Sequence, residues 1–253
     1  MWFKLSCLRR LWPALLLSPL AVLLAVSPDF NRELFLILHE AGRVAPGAFW
    51  RLLSVLGDWP TVLALLLALS WRRPDKLPAL LVGCGVGVFL AIVLKAGFAV
   101  PRPPLALPPG SVQLLDDLPG NGSFPSGHAM ASATLASFLY YSGVLRRGAL
   151  LTAAVALVML SRLAIGVHWP LDVTVGALLG WASMCAACRW AWPRGWPAGL
   201  SARLQSLMLP ALALQLLWLL YKPGSHEEYG LRLAVCALVL AAGCWRWRRA
   251  RLG

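Results

Sequence analysis

Three short segments of this chain carry residues able to do chemistry together. They are Lys95-Ala-Gly-Phe-Ala-Val-Pro-Arg102-Pro103, Phe124-Pro125-Ser126-Gly127-His128, and Ser161-Arg162-Leu-Ala-Ile-Gly-Val-His168-Trp169-Pro170-Leu171-Asp172. The inventory is three cations, two histidines, two serines and a carboxylate. Each segment abuts a long apolar run, where ionisable side chains are costly and therefore point to function. The set suits a phosphate: cations to bind it, one histidine to attack it and one to donate a proton.

Pro125-Ser126-Gly127-His128 reads as a helix start with Ser126 at the N-cap. The free N–H groups and the positive end of that helix form an anion site, and Gly127 lets a phosphate approach the backbone. Trp169-Pro170 is a second start, with proline at the first helical position. Asp172 then falls in the first turn, where simple capping of the helix charge competes with a catalytic role. His168 and Asp172 are four residues apart. If they share the turn, the carboxylate takes one ring N–H, fixes the tautomer and leaves the other nitrogen free to attack. His168 would then form a phosphohistidine. His128 would protonate the leaving oxygen and later activate water. Lys95, Arg102 and Arg162 would neutralise the phosphoryl oxygens as charge spreads in the transition state, the arginines as bidentate forks and the lysine as a point charge. The acids Asp116, Asp117, Glu227 and Glu228 come as adjacent pairs without a histidine at ligand spacing. No metal site and no cofactor are expected, and catalysis should be metal-independent. His39 and His226 read as ordinary interfacial residues.

The elements that must position these groups are legible in the bulk pattern. The chain has 253 residues, of which 59% are hydrophobic and 13% charged, with mean hydropathy +0.71. The apolar excess comes in long runs, so the solvent is lipid. A net charge of +13 invites a nucleic-acid reading, which the placement of the charges excludes. Lys4, Arg9 and Arg10 precede the first run. Arg72, Arg73 and Lys76 follow the second, Arg146 and Arg147 the fourth, and Arg189, Arg194 and Arg203 the sixth. Arg246, Arg248, Arg249 and Arg251 close the chain. That is fifteen of the 23 basic residues in every second connection, the positive-inside pattern.

Eight spans are expected, at about 11–27, 59–71 (or from near Leu52), 78–95, 128–143, 148–166, 170–188, 204–221 and 231–245. Tryptophans such as Trp12, Trp59, Trp71, Trp169, Trp190 and Trp245 cluster near their ends, as an aromatic belt does. The first run reads as an uncleaved span rather than a signal peptide, because proline follows the candidate cleavage site. Both termini are then cytoplasmic, and the loops 28–58, 96–127, 167–169 and 222–230 share the outer face. Parity alone brings Lys95, His128, Arg162, His168 and Asp172 to that face. Residues 30–56 read as a pair of amphipathic helices at the interface, either walling a lipid site or bracing the bundle. Residues 101–125 hold seven of the nineteen prolines, and a long irregular loop of that kind is often functional. Cys185-Ala-Ala-Cys188 lacks a second pair, and none of the six cysteines lies in an outer loop, so a disulfide framework is not expected.

The three segments resemble the three-part signature of the type 2 phosphatidic acid phosphatase superfamily. Lys95 followed by six residues and Arg102-Pro103 matches its first part, Pro125-Ser126-Gly127-His128 its second, and Ser161-Arg162, five residues, His168, three residues and Asp172 its third. The resemblance covers roughly residues 50–190. It implies an all-α polytopic membrane bundle with a six-helix core, and metal-independent hydrolysis of lipid phosphates. It also implies His168 as nucleophile, Asp172 as its orienting acid, His128 as acid/base, and phosphate contacts from Lys95, Arg102, Ser126, Gly127 and Arg162. The chain departs from the minimal core in a C-terminal pair of spans. The expected division is therefore a phosphatase domain at 1–200 and a C-terminal hairpin with a basic tail at 201–253.

Undecaprenyl pyrophosphate is the favoured substrate, cleaved at the periplasmic face of a bacterial inner membrane. The alternatives are transfer of that phosphate to lipid A, hydrolysis of lipid A or phosphatidylglycerol phosphate, and, from another class, transport of a lipid anion. A polar set at one face rather than at the midplane disfavours transport.

Overall fold

The computed structural model describes residues 2–72, 74–194, 198–222 and 224–252, with side chains in 12–70, 75–190, 203–204, 206–222 and 224–241. Arg73 and Trp196 lie outside the described residues. So do the side chains of Cys7, Cys244 and most of the terminal basic residues.

Among the described residues every regular element is helical. In chain order they are α1 (Trp2–Val26), α2 (Pro28–Gly42), α3 (Gly47–Val55), α4 (Trp59–Arg72), a 3-10 turn (Pro74–Lys76), α5 (Leu77–Phe98), the single turn α6 (Pro103–Ala106), α7 (Gly127–Ser142), α8 (Gly148–Ala164), α9 (Pro170–Arg194), α10 (Ala198–Tyr221) and α11 (His226–Leu252). The expected runs and these helices agree to within a few residues at most ends. The largest extensions are at the N-terminus of α1, at the C-termini of α9 and α11, and at the start of α10. There polar or basic residues continue an apolar helix beyond the lipid-compatible stretch. By length and composition α5 and α9 qualify to cross a membrane; the pairs α1 with α2 and α3 with α4 qualify only as bent spans, bent by 112° and 45°. The chain is thus an all-helical membrane bundle.

The centre of the bundle is the crossing of α7 and α9, and small residues determine how close it is. A Cβ on Gly176 would lie 2.5 Å from the Ser126 carbonyl oxygen, and one on Gly180 would clash still harder with the Met130 carbonyl oxygen. The spacing is Gly-xxx-Gly, the pattern that lets helices touch backbone to backbone in lipid. Alanines 129, 133, 136 and 177 are buried in the same cluster. Thr134 Oγ1 donates to the carbonyls of Met130 at 2.9 Å and Gly180 at 3.3 Å, and Ser137 Oγ donates to Trp181 at 3.2 Å. The contact pins the N-terminus of α7 beside the first turn of α9, where the second and third segments lie. On α5, Gly83 has no space for a Cβ against Met184, which brings the helix carrying Lys95 onto α9 as well.

Of the two readings open for 30–56, the packing favours bracing. Phe35 is fully buried and meets Trp169 edge-on at 5.2 Å between centroids. His39 is buried rather than interfacial. Its Nδ1 faces the Leu163 carbonyl at 3.0 Å, and its Nε2 accepts the Gln113 N–H at 3.1 Å, so one ring ties α2 to the end of α8 and to the proline-rich loop. The hairpin α10–α11 packs on α4 through Ala64, Leu212, Leu216, Leu219, Val235 and Val239. Cys84, Cys185, Cys188 and Cys236 are free thiols.

Candidate active site

Each segment reaches the site through a helix end. Lys95 is in the last turn of α5, Arg162 in the last turn of α8, and Asp172 in the first turn of α9. Ser126 is the N-cap of α7, its side chain accepting the Ala129 N–H. The sharp reversal between Arg162 and His168 needs Gly166, which sits at φ +90 with Val112 where a Cβ would go; that is left-handed backbone suited to glycine. The second and third segments are joined directly, since the Ser126 N–H donates to the Asp172 carbonyl at 3.0 Å.

His168 and Asp172 form the pair that their spacing predicts, and they are buried, 3% and 1% exposed. His168 Nδ1 is 3.4 Å from Asp172 Oδ2. The same oxygen accepts the Trp169 N–H at 2.8 Å. Asp172 therefore caps α9 and faces the imidazole at once: the two competing roles coexist. On the other side of the ring, Arg102 Nη1 lies 3.4 Å from Nε2. A guanidinium only donates, so it suits an unprotonated Nε2, with the ring proton on Nδ1 toward Asp172. Burial, and then the charges of Arg162, Arg102 and Lys95, hold His168 well below the ordinary imidazole value of 6.5. The ring is thus neutral with a lone pair available on Nε2, the form a nucleophile needs.

The cations are held by neutral oxygens, mostly of the backbone, rather than by carboxylates. Lys95 Nζ donates to Gly122 at 2.7 Å. Arg102 donates to Val167 at 2.7 Å and, through Nε, to Asn121 at 3.1 Å, with Nη2 on Asn121 Oδ1 at 2.7 Å. Arg162 donates through Nη1 to Ser54 Oγ, and its buried Nε has no hydrogen-bond partner. Neutral oxygens orient these groups without cancelling their charge, which leaves the cations grouped near His168 and the N-terminus of α7.

His128 opens α7 and is partly exposed. Its Nε2 lies 4.0 Å from Asp58 Oδ1, and Lys222 Nζ from the end of α10 donates to the same oxygen at 2.8 Å. Asp58 and Lys222 were not among the expected site residues. Their signal was parity: 28–58 and 222–230 are outer loops. Ser123 was also missed. It is fully buried, donates to Asp172 Oδ2 and lies 3.3 Å from His168 Nδ1, so it links carboxylate and ring. A serine in a proline-rich loop gives no pattern to read. Among the described residues no three His, Cys, Asp or Glu side chains gather as a metal site.

An open groove of about 940 Å³ runs between α4, α5 and α10. Its walls are apolar, with Trp59, Leu63, Val88, Ile92, Leu214 and Trp218 among them, and Lys95 and Gly127 also line it.

The chain matches the PAP2 superfamily over residues 76–196. It is 34% identical over 158 residues to an undecaprenyl-diphosphatase of Sulfolobus acidocaldarius, a match covering 61% of this chain and 75% of that protein. Its structure is similar to the crystal structure of Aquifex aeolicus LpxE, with TM-score 0.57 and 33% identity, covering 64% of this chain and 96% of the other. It is also similar to a transmembrane PAP2-type phosphatidylglycerolphosphate phosphatase from Bacillus subtilis, with TM-score 0.53 over 72% of this chain and 94% of the other; at 23% identity that likeness concerns the fold alone.

Proposed function

The chain belongs to the PAP2 superfamily and is a membrane lipid-phosphate phosphohydrolase, and on that premise we propose that it cleaves undecaprenyl pyrophosphate at the periplasmic face of a bacterial inner membrane through a phosphohistidine. The observation that carries the substrate class is the groove: an apolar trough of about 940 Å³ that reaches Lys95 of the cationic cluster and Gly127 at the start of α7. A long apolar tail bearing a phosphorylated head fits that shape and polarity, and the name of the Sulfolobus relative supports the pyrophosphate.

In the first step His168 Nε2 attacks the terminal phosphorus. The P–O bond to the lipid phosphate breaks, and the proton of His128 goes to the leaving oxygen. Asp172 takes the N–H of the imidazolium that forms. Lys95, Arg102, Arg162, the Ser126 hydroxyl and the free Gly127 N–H at the start of α7 hold the equatorial oxygens. In the second step His128, now neutral, takes a proton from water as the water attacks the phosphohistidine. The P–N bond breaks and inorganic phosphate leaves. Three cations and a helix N-terminus supply the charge stabilisation that a divalent ion gives other phosphotransferases, so the reaction runs without a metal.

A phosphate-release panel in detergent tests this reading, with prenyl pyrophosphate, prenyl phosphate, phosphatidylglycerol phosphate and lipid A, run with EDTA present. The pyrophosphate should be the best substrate, EDTA should have no effect, and His168→Ala should abolish turnover. Release from none of them, or activity that magnesium restores after EDTA, defeats the reading. Lipid A that gains phosphate from the prenyl donor would make the protein a phosphotransferase instead.

A further inference from the structure

Two carboxylates face the two histidines of this site, and only one of them, Asp172, belongs to the three segments. The other, Asp58, sits in the turn between α3 and α4, outside the region matched to the superfamily. The backbone holds it there. Gly57 packs on the start of α7 so closely that a Cβ would lie 2.9 Å from the His128 carbonyl oxygen and 3.3 Å from its Cβ. Asp58 is 7% exposed. Its Oδ1 is shared between Lys222 at 2.8 Å and His128 Nε2 at 4.0 Å, while its buried Oδ2 has no hydrogen-bond partner. A buried carboxylate oxygen without a donor is costly, and the neighbour able to gain a proton is His128.

We propose that Asp58, anchored by Lys222 of the C-terminal hairpin, is a positioning residue for His128. It faces the imidazole, favours its protonated form and so sets the proton donor, as Asp172 sets the nucleophile. The hairpin thereby acquires a role in catalysis, since α10 delivers Lys222 to the pair. Arg232 of α11 steadies that end, donating to the Lys222 carbonyl at 2.7 Å. The other charges acting on His128 are Arg162 from α8, Arg102 from the loop after α5, His168 from the loop before α9 and Lys222 itself. All of these are cations or can become so. Among the described residues Asp58 is the carboxylate that comes within 4.0 Å of the ring. The inference rests on the phosphohydrolase reading and on His128 as donor.

The experiment compares kcat/KM on a long-chain alkyl phosphate, whose leaving oxygen needs a proton, with p-nitrophenyl phosphate, whose phenolate leaves without one. In the full chain Asp58→Asn should lower the alkyl value by roughly tenfold to a hundredfold and the aryl value by less than about threefold. Lys222→Met should shift the same ratio in the same direction, and Lys222→Arg should restore it. The double variant Asp58→Asn/Lys222→Met removes the pair together, leaves no stranded charge, and should match Asp58→Asn. Equal losses on both substrates, or an unchanged ratio in the variants that fold, overturn the proposal. Lys222 is partly exposed, so its variants remain readable if Asp58→Asn does not fold. Wild-type protein inert on both substrates would instead defeat the phosphohydrolase reading, and a His128→Ala protein with an unchanged ratio would defeat the donor assignment.

Discussion

At the residue scale the site is a set of charges kept apart from their counter-ions. Arg102 and Lys95 are fixed by carbonyl oxygens, so the one carboxylate in their midst, Asp172, stays directed at His168. Ser123 refines that arrangement by donating to Asp172 from a third element. Asp172→Asn should lower kcat by roughly a thousandfold or more, because the amide presents the wrong group to Nδ1 and upsets the tautomer. Ser123→Ala should cost about tenfold, since it removes one neutral hydrogen bond and not the charge. Initial-rate measurements on the favoured lipid check both, and Ser123→Ala losing as much as Asp172→Asn would contradict this ordering.

The depressed basicity of His168 gives a pH prediction with a definite sign. In the proposed mechanism its neutral form attacks, and burial with three nearby cations holds its titration well below 6.5. Activity should therefore survive as pH falls through the ordinary imidazole range and fail only below it. The acid limb of kcat/KM, which reports the free enzyme, reads this directly, and a limb centred at or above 6.5 contradicts it. The same shift means that the unfolded chain binds more protons at this site. Stability is full above about 6.5 and falls as pH drops toward the native titration.

At the element scale, two helix contacts decide whether the charges meet. The α7–α9 crossing is the tighter, with Gly180 against the Met130 carbonyl and Gly176 against that of Ser126. Gly180→Ala should push the helices apart, cost roughly 1–3 kcal/mol or more, and lower activity by displacing His128 from the His168–Asp172 pair. Thermal unfolding in detergent together with kcat measures the two effects, and a Gly180→Ala protein as stable and active as wild type rules the close contact out. The pattern Gly176-Ala-Leu-Leu-Gly180 was visible in the sequence. Which helix it met was not, because a small-residue stripe names no partner. The irregular 101–125 segment reads as functional from its proline content, yet its actual work, oxygens from Asn121 and Gly122 that hold the cations, depends on a backbone path that proline content does not encode.

At the scale of the whole molecule, the positive-inside pattern proposes an orientation: both termini on the cytoplasmic side, the site on the other. Single cysteines introduced at exposed Glu227 and at the chain's C-terminus of a cysteine-free variant should label oppositely with a membrane-impermeant maleimide in intact cells, the first reacting and the second protected. Both reacting, or the reverse pattern, overturns the orientation. The division into a phosphatase domain at 1–200 and a hairpin at 201–253 stands as a proposal with one amendment. The hairpin walls the apolar groove through Leu214 and Trp218 of α10 and reaches Asp58 through Lys222, so the proposed function assigns it to the site. Residues 30–56, the other candidate wall, turn inward through Phe35 and His39 instead.

The sequence by itself determined the class of chemistry, the helical architecture and the end of the bundle where the charges gather. Lipid penalises every stray ionisable group, and a helix has only two ends, so position along the chain and parity place each one. Tertiary structure alone decided the partners. Asp172 serves cap and imidazole together, Ser123 and Asp58 supply the contacts no motif announced, and α10 closes a groove that α2 and α3 do not. Those choices rest on where helices cross and which backbone oxygens face inward, and such facts follow from packing in three dimensions rather than from spacing in one.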